Sequence, residues 1–316
     1  MIQNQMPVEF NIEYDEINVL LSSAELSGPD IENLEKIRKK SKELEKQSLT
    51  STEYQSSTLD ALNKAIHLHG GPIIELGVYK GGLSCQLCYL SKQHDRDIYI
   101  IDVSSEYIEM ARQQIIDQGL LHSKVHFFVG NLCTFFEEHN FQLLPPCMIV
   151  VDGDHSYFGV REDLCNILFH TPDVPVVVLH DFGLRYDNST RRAENNVSGA
   201  ILDITGDTNA LIPIGFLGDG TKRDDCYFQK GYPEGVILFP SLLKPAVFSV
   251  AYSYCAAASQ KFLVKKHKTE HTNLYNELQQ QKEHNALLCS HLSRSRWIKT
   301  GRRIGFLKWI GKFLNT

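Results

Sequence analysis

The sequence predicts an α/β fold: a doubly wound, mostly parallel seven-stranded sheet, closed by an antiparallel hairpin and flanked by helical N- and C-terminal extensions. Three observations predict it. Short β-branched runs alternate with helical stretches from residue 59 to about residue 205, the pattern of repeated strand–helix–strand units. The runs are apolar at consecutive positions, as strands covered on both faces are. Of the 316 residues, 42% are hydrophobic, enough for a full core.

Residues 1–58 read as a helical N-terminal extension. Within it, 29–48 is charged and carries Ile31, Leu34, Ile37 and Leu44 as a thin apolar stripe at helical spacing. A second helix beginning at Leu59 leads into the α/β domain, residues 59–258. Its strands are expected at Pro72–Leu76, Ile98–Asp102, Val125–Val129, Met148–Asp152 and Val174–Leu179. Leu83–Lys92, Ser105–Gln118 and Val160–Phe169 supply helices between them. Ala210–Leu217 and Asp225–Leu238 form the closing hairpin. Residues 259–290 place Leu274, Leu278 and Leu288, with Leu292 just beyond, in one heptad register with polar Gln281 and Asn285, a plain helix or a short coiled coil.

Charge bounds the function. The net charge of -6 argues against a nucleic-acid binder. Residues 291–316 are the exception: seven Lys and Arg, no acid, and the aromatic anchors Trp297, Phe306 and Trp309. Such a basic amphipathic tail suits an anionic membrane surface, or docking on an acidic protein face. No apolar run approaches the ~20 residues that span a bilayer. The N-terminus lacks the basic start and apolar stretch of a secretion signal. The expectation is a cytoplasmic chain, peripheral at the inner membrane face through its tail. The eight cysteines read as reduced core thiols, including Cys85 and Cys88, which share one helix face.

The chemistry gathers at the carboxyl ends of the strands, where open α/β sheets bind ligands. Strand one ends in Glu75-Leu76-Gly77, and Gly81-Gly82 follow. Gly77 permits a tight turn; Gly81 and Gly82 let the backbone approach a ligand at a helix N-terminus. Asp102 ends strand two, placed to hold the hydroxyls of a ribose. Asn131 follows strand three, where a side-chain amide suits an adenine edge. These features imply a nucleoside cofactor. A dinucleotide site wants G-x-G-x-x-G, as in NAD-dependent oxidoreductases. Here the pattern is G-x-x-x-G-G, with an acid two residues before it. A carboxylate repels a pyrophosphate and attracts the sulfonium and ammonium groups of S-adenosylmethionine (SAM), so charge favours SAM.

Strands four and five end in Asp152-Gly153-Asp154-His155 and His180-Asp181. On one sheet edge these bring carboxylates and imidazoles into one cleft. Hard oxygen donors with some imidazole suit Mg²⁺ or another divalent cation. The plain alternative is that Asp154 and Asp181 cap the helices that follow.

The segments ELGVYKGGLS, VDGDHSYFGVREDL and VVVLHDF resemble class I SAM-dependent methyltransferases, within a similarity covering about residues 70–240. The resemblance is to the family that includes macrolide-sugar O-methyltransferases and cephalosporin-hydroxylase-like proteins. It implies a Rossmann-like fold, with SAM held by Glu75, Gly77, Gly81, Asp102, Asn131 and Asp152. It implies a divalent metal on Asp152, His180 and Asp181, although relatives usually carry an acid or amide where this chain has His180. The catalytic base maps onto His155, or onto Asp154 in the manner of sugar-modifying relatives. Such an enzyme aligns acceptor oxygen, methyl and sulfur, while the base takes the hydroxyl proton. The stretch from Gly183 to Arg192 is the expected acceptor loop. The tail loosely resembles those of surface-polysaccharide enzymes, which turns the expected acceptor toward a sugar hydroxyl of a glycan. Another small-molecule acceptor, an inactive methyltransferase-like scaffold and a homo-oligomeric assembly stay open.

Overall fold

The computed structural model describes residues 26–256, apart from 140, 142–143, 187–195, 207–208, 216–221, 224–225 and 230. The helix expected at 259–290 and the basic tail lie outside the described residues, as does most of the stretch 183–192 expected to be an acceptor loop.

Two helices come first, α1 (Gly28–Glu43) and α2 (Thr52–Leu68). Each starts at a serine N-cap: the Ser27 hydroxyl accepts from the Asp30 N–H and the Ser51 hydroxyl from the Tyr54 N–H, satisfying donors the helix leaves free. Half of the stripe expected on α1 faces the core. Leu34 and Ile37 are buried, while Ile31 and Leu44 stay exposed. Ser41 is buried on the same helix, its hydroxyl accepting from Gln114 Nε2 at 2.8 Å. Helix α2 runs across residues 58 and 59 and seals Tyr54, Leu59 and Leu62 inside.

The strand–helix units then follow in order: β1 (Ile73–Leu76), α3 (Gly82–Gln93), β2 (Ile98–Asp102), α4 (Ser105–Asp117), β3 (Val125–Val129), α5 (Leu132–Glu138), β4 (Met148–Val151), α6 (Tyr157–His170), β5 (Val176–Leu179), β6 (Leu184–Tyr186), α7 (Val197–Thr205), β7 (Leu211–Ile214), β8 (Lys222–Arg223), β9 (Cys226–Phe228) and β10 (Gly235–Leu238). The seven-stranded sheet has the order β3-β2-β1-β4-β5-β10-β7. Strands β1 to β5 are parallel; β10 runs antiparallel between β5 and β7. Successive residues of β1 and β4 feed two buried clusters, Ile73, Met148 and Val150 one of them, Ile74, Ile149 and Val151 the other. Both faces of the sheet are therefore core, as the consecutive apolar residues require.

The closing hairpin needs a correction. The run read as one strand from Asp225 to Leu238 is two. β9 pairs with β6 and β8 in a separate three-stranded sheet, and only β10 joins the main one. Gly231, at φ +80°, and Pro233, which has no N–H to give a ladder, separate them. Past β10, the helical residues 245–256 lay Val247, Ala251 and Cys255 onto the second cluster. No helix among the described residues is long and apolar enough to cross a membrane.

Candidate functional site

Because β1, β2, β4 and β5 run parallel, their carboxyl ends share one edge, and there a cavity of about 730 Å³ opens. Glu75, Asp102, Asn131, Asp152, His155 and Asp181 all line it.

At the β1 end, Glu75 is 1% exposed and its Oε2 meets no donor. Burial, reinforced by Asp152 and Asp102, raises its carboxyl to about 8. Gly77 has φ +81°, and a Cβ there would stand 2.0 Å from the Asp152 carbonyl oxygen. Only glycine lets the turn after β1 lie against the end of β4. The next two glycines are also closely packed. Gly81 is not part of the cavity wall; its missing Cβ makes room for Ala111, whose Cα would lie 2.7 Å away. Gly82 lines the cavity, yet its missing side chain admits the Ser48 backbone nitrogen, which a Cβ would meet at 2.1 Å. At both positions the missing Cβ admits neighbouring chain.

Asp102 is fixed from both sides, Oδ2 accepting from the Val78 N–H at 3.0 Å and Oδ1 from the Ser104 N–H at 2.8 Å. Asn131 caps α5, its Oδ1 accepting from the Thr134 N–H at 2.9 Å, so its NH₂ is the part available to a ligand. Asp163, on α6, also lines the cavity; burial with Glu162 and Asp154 nearby raises its carboxyl to about 7.

At the other end stands a group of three. Asp152, His155 and Asp181 each offer a ligand atom, all within 4.8 Å of one another, the one such group among the described residues. Asp181 is buried and sits at φ +58°, a left-handed conformation uncommon for a side chain of this kind. The backbone bend aims its carboxylate at two imidazoles. His155 Nδ1 pairs with Asp181 Oδ2. Burial draws the His155 imidazole down, but Asp181 outweighs it and carries it up to about 9. For Asp181, burial favours the neutral acid, and the His180 and His155 charges override it, holding it well below the ordinary carboxylate range.

Asp154 and His180 also line the cavity. His180 is engaged at both ring nitrogens. Its Nδ1 lies 2.8 Å from Asp152 Oδ1 and 3.1 Å from Asp181 Oδ1, and its Nε2 lies 3.1 Å from Glu234 Oε1. Each ring nitrogen of His180 thus faces a carboxylate, an arrangement that favours an imidazole donating on both sides. Burial opposes that charge, but Asp152 and Asp181 raise His180 well above the ordinary imidazole range. The group of three with mutually close ligand atoms contains His155 and not His180. Asp154, the alternative base, is exposed and folded back on its own turn, accepting from Ser156 N–H at 2.8 Å and Ser156 Oγ at 3.0 Å. Sequence reasoning missed Glu234, which lies 54 residues from His180 with no motif around it, and Ser48 and Leu49, whose contribution to the cavity wall depends on how the N-terminal segment folds back.

Residues 74–182 match the family model described as a methyltransferase domain, a span that takes in the carboxyl ends of β1, β2, β4 and β5. Over those residues the chain is similar to methyltransferase domains. Among solved structures, an O-methyltransferase from Streptomyces achromogenes, TomG, involved in tomaymycin synthesis and held in complex with SAM, is similar to it at 17% identity. That match covers 71% of this chain and 96% of that one with a TM-score of 0.43. A SAM-dependent methyltransferase from Agrobacterium tumefaciens is similar at 15% identity, covering 43% of this chain and 45% of that one with a TM-score of 0.34. Likenesses of this size carry no assignment of substrate. No protein of curated function matches the chain.

Proposed function

We propose that this methyltransferase moves the SAM methyl group onto a sugar hydroxyl of a glycan precursor, with a divalent cation held by Asp152, His155 and Asp181. The observation that carries the reading is the convergence of these three donors on the cavity that also contains Glu75 and Asp102. The residues fit both groups. The orphaned, buried Oε2 of Glu75 suits a cationic portion of SAM, and the Asp102 carboxylate suits ribose hydroxyls. Two carboxylates with one imidazole suit a hard cation. When bound, such a cation lowers the pKa of a hydroxyl and fixes its position. The chain's own part is to orient the acceptor and take its proton. Asp181 fixes one ring nitrogen of His155, so the other has a single role at a time: ligand to the cation when one is bound, and acceptor of the hydroxyl proton when none is. An imidazole oriented by a buried carboxylate is also the arrangement of a general base that works without metal, and this supports a second, metal-free reading of the same site. The basic tail belongs to the proposal as a peripheral membrane contact near a lipid-linked glycan.

The test is methyl transfer from labelled SAM into nucleotide sugars and cell-envelope fractions, with and without EDTA. Wild type should label a carbohydrate, and Asp152→Ala should lose turnover at least ~100-fold while SAM binding, read by calorimetry, largely persists. Full turnover in excess EDTA favours the metal-free base. Binding of NAD without SAM, or an active Asp152→Ala variant, overturns the site.

A further inference from the structure

The side chain that ties the acidic site to the rest of the fold is Glu234, just before β10. It is 0% exposed. Its Oε1 accepts from His180 Nε2 at 3.1 Å and from the Ser51 N–H at 2.8 Å, while Oε2 meets no donor. The hydrogen-bonding of this carboxylate is thus directed at one imidazole and at the N-cap of α2. The imidazole is boxed in. Tyr54 crosses its ring edge-on at 4.7 Å between centroids, and Asp152 and Asp181 take its other nitrogen. Room for Glu234 exists because residue 215 is glycine at φ +64°; a Cβ there would stand 2.9 Å from both Glu234 Oε2 and Tyr54 Cβ. The same N-terminal stretch that reaches Glu234 through Ser51 lines the cavity through Ser48 and Leu49.

We propose that Glu234 is a positioning residue for methyl transfer: it locks the ring of His180, and the opposite N–H of that ring holds Asp152 and Asp181 at the spacing a divalent cation needs. The proposal rests on the metal-assisted reading above. Groups that orient a metal's ligands typically alter its affinity 10–100-fold when removed. They do so without touching metal, cofactor or substrate, and Glu234 is not among the residues that line the cavity.

The experiment reads Mn²⁺ affinity, SAM affinity and the downfield imidazole N–H protons of the full-length protein. Glu234→Ala should weaken Mn²⁺ binding about tenfold or more, leave SAM affinity within about threefold and remove the His180 Nε2–H resonance. Glu234→Gln, whose amide oxygen still accepts, should restore the resonance and most of the Mn²⁺ affinity. Where Glu234→Ala fails to fold, Glu234→Gln paired with Glu234→Leu decides by the same resonance. In a His180→Ala background, loss of Glu234 should cost nothing further, because its effect passes through that ring. Additive losses, an unchanged resonance in Glu234→Ala, or equal loss of Mn²⁺ and SAM binding overturn the proposal. A wild type that binds no Mn²⁺ but loses the resonance on Glu234→Ala overturns the metal reading and supports the lock on His180.

Discussion

A carboxylic acid sealed inside a sheet prefers to be neutral until a cation reaches it. Glu75 is in that position, with a folded value of about 8 against an ordinary 4.5. A carboxyl raised in the folded state contributes stability that is full below 4.5 and is lost as pH climbs through about 8. Glu75→Gln should therefore unfold at higher temperature than wild type at pH 8.5 in the absence of SAM, with the difference shrinking toward pH 5. The same substitution should lower SAM affinity about 10- to 100-fold, the worth of a hydrogen bond to a charged group. Wild-type affinity should rise from pH 6.5 to 8.5, and that of Glu75→Gln should stay flat. Calorimetry across pH settles it; a variant that binds SAM as tightly as wild type removes Glu75 from the cofactor site. The sequence made Glu75 visible because the Gly-rich turn flags it. It made His180 visible, but not its partners. Residue order shows a histidine beside an acid at a strand end, but which carboxylates face its two nitrogens depends on Glu234, and no local pattern announces that.

At the scale of elements, the sheet was legible because its strands are buried on both faces and therefore read as unbroken β-branched runs, as Val176–Leu179 does. The crossover helices were legible from their spacing. The second small sheet was not. Cys226–Phe228 and Gly235–Leu238 are both apolar, so periodicity joins them, and the turn at Gly231 only becomes decisive once its positive φ is known. The glycines after β1 show the same limit. Their positions in the motif suggest ligand approach, whereas the backbone of Ser48 occupies the space that Gly82 leaves. Gly82→Ala should force residues 44–51 outward and cost about 1–3 kcal/mol, as overpacking does. In a domain of this size that is about 2–9 °C in Tm. Since Ser48 and Leu49 line the cavity, SAM affinity should fall with it. Gly119→Ala offers a comparison, because nothing lies within 4 Å of its missing Cβ, although its φ of +70° makes it a strained site too. A Gly82→Ala protein as stable as wild type, with unchanged SAM binding, shows that the N-terminal segment yields freely.

The whole molecule joins an acidic catalytic body to a tail of opposite sign. Net charge is -6 with seven Lys and Arg, and no Asp or Glu, in residues 291–316. The main sheet is finished by β10 and its flank is sealed by Val247, Ala251 and Cys255, so removal of 291–316 should leave the catalytic body folded and turnover on a soluble acceptor nearly unchanged. Attachment to anionic vesicles should fall. Seven cations near such a surface, at about 1 kcal/mol each, make a contact that rising salt weakens, because exposed charges are screened over ~8 Å at physiological ionic strength. Part of the affinity should survive salt through Trp297, Phe306 and Trp309, whose burial in the interface is not electrostatic. Vesicle co-sedimentation of full-length and truncated protein, at low and high salt, separates these contributions. Equal partitioning of the two at low salt assigns the tail to protein docking instead. In that case the surface it docks on should be acidic, and the truncated chain should lose a partner rather than a membrane.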